Sequence, residues 1–77
     1  MKTVKQLERD KTRNIKIMFD KVKTANEITL SYAIEPNDSY KTKLLETFSE
    51  IEKAGDEIQK IMKDLEKAKI IENLGKL

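Results

Sequence analysis

Leu44-Leu45-Glu46-Thr47-Phe48-Ser49-Glu50-Ile51-Glu52-Lys53-Ala54-Gly55-Asp56-Glu57-Ile58-Gln59-Lys60-Ile61-Met62-Lys63-Asp64-Leu65 is the stretch whose spacing decides the fold. Leu44, Phe48, Ile51, Gly55, Ile58, Met62 and Leu65 alternate steps of four and three, the pattern of a left-handed coiled-coil seam. A second row runs beside it: Tyr40, Thr47, Ala54, Ile61 and Ala68 return every seven residues and widen the apolar stripe to roughly 160°. One partner helix covers a narrower strip than that. The excess is expected around Ala54, Ile61 and Ala68, beside the main seam.

Working outward, this helix is expected to span about residues 39–73. Asn37, Asp38 and Ser39 offer three successive N-cap candidates, and Asn73 and Gly75 mark the end. Glu50 with Lys53, Asp56 with Lys60, Asp64 with Lys67 and Glu66 with Lys69 stand at ion-pair spacing along its surface. Upstream, Val4, Leu7, Ile15, Met18, Val22, Ala25, Thr29 and Ala33 fall on one stripe of a first helix over about residues 3–33, interrupted by Lys11 and Asn14. Its weak point is Thr24 to Thr29, where Asn26, Ile28 and Thr29 are poor helix formers and a break is expected if anywhere. Glu35-Pro36 ends this helix, because the residue before proline is pushed out of the helical region. A turn of about residues 34–38 then forces the two helices side by side and antiparallel, as a hairpin roughly 45 to 50 Å long at 1.5 Å per residue.

The expectation is thus all-α: one helical-hairpin domain over residues 1–77 that assembles into a four-helix bundle or coiled-coil-like oligomer, with a dimer favoured. Composition agrees. The 77 residues are 39% charged and 38% hydrophobic, with two Gly, one Pro and no Trp or Cys, and a core this small needs help from outside the chain. Disulfides and a Cys/His zinc site are excluded by residue type, which leaves oligomerisation. The expected interface comprises Leu44, Phe48, Ile51, Ala54, Gly55, Ile58, Ile61, Met62 and Leu65, with Val4 to Val22 on the first helix. Gly55 costs a helix about 1 kcal/mol relative to Ala, and close helix approach is the expected compensation.

Chemistry is hard to find. With neither His nor Cys, the commonest acid–base, nucleophilic and transition-metal arrangements are missing, and Ser31, Ser39 and Ser49 have no partner base at a telling spacing. Glu46, Glu50, Asp56 and Glu57 lie among lysines, as a solvated face would. No Gly-rich phosphate loop exists. The expectation is a non-enzymatic protein with no cofactor, no metal and no small-molecule ligand. The longest apolar run is Ile17-Met18-Phe19, so no membrane span and a cytoplasmic location are expected.

Charge is more informative. Residues 1–24 hold eight basic and three acidic side chains, a net of +5, whereas residues 25–60 hold four and eight, a net of −4. Residues 61–77 add +1. An antiparallel hairpin therefore has a basic end and an acidic end. Lys2, Lys5, Arg9, Arg13, Lys16 and Lys23 fall on one face of the first helix, about 32 Å long, with Asp20 and Glu27 as acidic intrusions. Such a row suits an acidic protein or nucleic-acid phosphates, but no aromatic is interleaved to stack on bases. Beyond Ala68 the pattern slips, and Ile70, Ile71, Leu74 and Leu77 point around the helix, either as a fraying tail or as a hook for a partner.

Pro36-Asn37-Asp38 followed by a long helix carrying Met62-Lys63-Asp64-Leu65 resembles the needle subunits of type III secretion, small helical hairpins with a proline-containing turn. The resemblance covers about half the chain. Ser39 stands where the second turn proline of that family is expected, and the basic first helix has no counterpart there. A filament-forming subunit is what it implies. The Lys, Glu, Ile and Asn bias is that of AT-rich genomes, as in phages and low-GC bacteria. The expected function is a self-associating interaction module that binds a protein as adaptor, assembly factor, regulator or inhibitor. A small nucleic-acid-binding regulator is the alternative.

Overall fold

A computed structural model describes residues 2–76 and contains two helices, α1 (Val4–Ile34) and α2 (Asp38–Gly75), with no strand among the described residues. Each start is fixed locally. At α1 a capping box operates: the Gln6 backbone N–H donates to Thr3 Oγ1 at 3.2 Å, and the Thr3 N–H donates to Gln6 Oε1 at 3.0 Å. The Thr3–Gln6 spacing is legible in the sequence. Of the three candidate caps at the next helix, Asn37 is the one used, its side chain accepting the Ser39 N–H at 2.8 Å, while Asp38 complements the positive end of the helix from its first turn. Only Glu35, Pro36 and Asn37 separate the helices, fewer than the expected turn. Glu35 holds φ −137° and ψ 89°, the extended conformation that Pro36 imposes.

α1 does not break between Thr24 and Thr29. Thr24 Oγ1 donates to the Asp20 carbonyl (3.1 Å) and Thr29 Oγ1 to the Ala25 carbonyl (2.8 Å), so both hydroxyls are satisfied within the helix. Ala25 is buried and Ile28 half-buried against α2. Packing overrides propensity here. α2 continues through Gly75, and no described glycine takes a positive φ, so Gly75 lies in the last turn and does not cap it in the left-handed conformation. The rod measures 62 × 14 × 14 Å, longer than a hairpin of matched helices. At 38 residues against 31, α2 outruns α1 by seven, about 10 Å.

The helices run antiparallel: Leu7 packs with Ile61, Leu65 and Ala68 near the termini, and Lys21 pairs with Glu50 further along. The contact strip on α2 is Tyr40, Leu44, Thr47, Ile51, Ala54, Ile58, Ile61, Leu65 and Ala68, all buried or half-buried. It alternates steps of four and three, but it is not the seam read from sequence. It keeps Leu44, Ile51, Ile58 and Leu65 and takes the whole neighbouring row in place of Phe48, Gly55 and Met62. The small side chains Thr47, Ala54 and Ala68 let α1 approach, so the excess apolar surface lies on the other edge.

On α1 the facing residues are Val4, Leu7, Lys11, Asn14, Met18, Lys21, Ala25 and Ile28, again at heptad steps. Three polar residues in that strip leave a thin core. Leu7, Ile61, Leu65 and Ala68, with Val4 against them, form a cluster of buried side chains, and no described large side chain is more than 98% buried.

Candidate functional site

At 100° per residue, Phe48, Gly55 and Met62 fall along one edge of α2's contact strip, and Ile15, Phe19 and Val22 along one edge of α1's. Contacts show that these edges lie on the same side of the hairpin. Lys69 of α2 reaches Glu8 of α1 at 3.7 Å there, and Lys11 shares a shallow groove with Met62 and Leu65. Phe19 is 64% exposed, Met62 56% and Phe48 48%, with Val22 just past one-third. Half-buried Leu44, Ile51 and Ile58 fill the floor between them. The result is a continuous apolar face along the middle of the rod.

The opposite side differs. It carries Asn14, Lys21, Glu50, Lys53 and Glu57, then Lys60, Asp64 and Lys67 towards the termini, with Ile17 exposed at its middle and Ile71 at its terminal end. Lys21 and Glu50 form an ion pair across the helices. The hairpin is thus two-sided, apolar on one flank and charged on the other.

Against the expected interface, the structure divides the residues. Ala54, Ile61 and Leu65 are buried inside the hairpin by α1, and Leu44, Ile51 and Ile58 are half-buried there. Phe48 and Met62 remain exposed. Gly55 is not a point of close approach within the chain, because a methyl group added there would meet nothing within 4 Å. Phe19 was missed by sequence reading, although Ile15, Phe19 and Val22 stand at steps of four and three.

The basic face also divides. Asp10 lies between Lys2 and Arg13 and pairs with both, Arg13 Nη2 donating at 3.0 Å. The hydrogen bond from Lys2, reinforced by the charges of Lys2 and Arg13, holds the Asp10 carboxyl below its ordinary pKa. Glu8 is likewise lowered, first by its hydrogen bond from Lys11 and then by the charges of Lys11 and Lys69. Lys5, Arg9, Lys16 and Lys23 are exposed and form no ion pair among the described residues. Four cations, not six, are available to a partner.

The ion pairs expected along α2 are absent among the described residues; Glu50 and Lys69 pair with α1 instead. Beyond the packed end, Ile70, Ile71 and Leu74 are each more than half exposed, and Leu77 lies outside the described residues. At the turn end Leu30, Ile34 and Leu45 are exposed too, Ile34 by 85%. Among the described residues no three Asp, Glu, His or Cys gather as a metal site, and no helix is long and apolar enough to cross a membrane. No family model matches the chain, and comparison with curated proteins and with solved structures finds no match.

Proposed function

We propose that the chain is a non-enzymatic interaction module that self-associates through the apolar flank and engages a protein partner. One observation carries this reading. Phe19, Val22, Phe48 and Met62 stand uncovered on one side of a hairpin whose own core holds six buried apolar residues among the described ones. A surface of this length in water favours association, and burying the exposed half of each such side chain contributes about 1 kcal/mol. Arg9, Lys16 and Lys23 share the row of α1 that faces away from α2, and Lys5 stands on the row of Phe19 at the edge of the flank, so a self-associated module keeps the first three in solvent for an acidic partner.

Sedimentation equilibrium at micromolar concentration tests the first half. The expected mass is twice the 9.0 kDa of one chain, falling to one chain in Phe48→Glu/Met62→Glu. A cooperatively folded monomer of unaltered sequence at that concentration rules the reading out. For the second half, polyglutamate at low salt is the probe, and binding should vanish when Lys5, Arg9, Lys16 and Lys23 are all reversed to Glu. The same unpaired cations support a second reading, a regulator bound to nucleic acid. Duplex DNA binding that falls steeply with salt, without polyglutamate binding, selects it.

A further inference from the structure

We infer that the occupant of the apolar flank is a second copy laid antiparallel, the two rods crossing their basic and acidic ends; this rests on the self-association proposed above. Charge is the argument. At the terminal end of the rod, residues 1–11 carry +2 and residues 61–77 carry +1, a net of +3, whereas residues 25–47 around the turn hold two basic and four acidic side chains, a net of −2. A parallel pair sets like against like at both ends. Turning one copy end over end sets each basic end beside the acidic end of the other, and a two-fold axis across the middle of the flank repeats that match twice.

The chain has no cysteine, so one introduced thiol gives one spin label per copy. Ser39→Cys, near the turn, and Lys53→Cys, near mid-rod, both place the label on exposed positions of the charged side, away from the flank. Pulsed dipolar spectroscopy then reads the distance between copies. Antiparallel packing separates the labels at residue 39 by about 40 Å along the rod, at 1.5 Å per residue and fourteen residues from the middle, while labels at residue 53 stay close. Equal, short distances at both sites mean a parallel pair and overturn the inference while leaving self-association standing. Absence of dipolar coupling at both sites, together with a single-chain mass, overturns both.

Discussion

The two ends of the hairpin are built differently. At the terminal end, large residues close on one another: Leu7, Ile61 and Leu65, with Ala68 and Val4. At the turn end the buried positions are Ala25 and Thr47, both small, and the large residues Leu30, Ile34 and Leu45 face out. The first end is held by apolar burial, the second by a tight connection and helix caps. A short loop can hold two helices together without a core, because it limits their separation entropically, whereas free termini must be held by contacts. The stronger packing stands where the chain gives no covalent link.

Replacing Ile61 by Ala should have the largest effect, a loss of about 2–4 kcal/mol read as a fall in the thermal or urea midpoint, since it empties the centre of the terminal cluster. Leu45→Ala, at the exposed turn end, should stay within about 0.5 kcal/mol. Comparable losses at the two sites would break the contrast.

Within a single hairpin, as in the Phe48→Glu/Met62→Glu background, Gly55→Ala should raise stability by about 0.5–1 kcal/mol, because nothing within the chain lies near enough to resist the methyl group. A loss of association in the chain that keeps Phe48 and Met62 would locate another helix over that point of the flank. Thr47→Val should be neutral or stabilising by up to about 1 kcal/mol. Its hydroxyl is buried and donates only to the Lys43 carbonyl at 2.8 Å, which the helix already engages. Amide hydrogen exchange should sharpen the comparison directly, with slower exchange in residues 61–68 than in residues 38–47.

The smallest effect is pH dependence. Asp10 and Glu8 are held below their ordinary values by Lys2, Arg13, Lys11 and Lys69. Carboxylates lowered in the folded state contribute stability that is fully present above the unfolded value of about 4 and is lost as pH falls through the lowered one. Asp10→Asn should flatten part of the acid limb of a stability–pH curve without moving the plateau at neutral pH by more than an exposed ion pair warrants. An unchanged acid limb would remove these pairs from the account of the terminal end.

The sequence alone determined what local chemistry controls. Pro36 and the Asn37 cap fixed the turn, the regular spacing of apolar residues fixed two helices, and charge counts fixed a basic and an acidic segment. It also indicated an apolar stripe on α2 wider than one partner helix covers. Spacing could not decide which part of that stripe α1 takes. Two heptad rows lie close together around one helix and both satisfy the periodicity, so the choice depends on side-chain volume at the contact. The tertiary structure seats α1 over Thr47, Ala54 and Ala68, where small groups let two backbones approach, and leaves Phe48 and Met62 on the rim. It likewise matched Glu50 to Lys21 and Lys69 to Glu8, pairings set by the relative placement of two helices that neither helix's own sequence specifies.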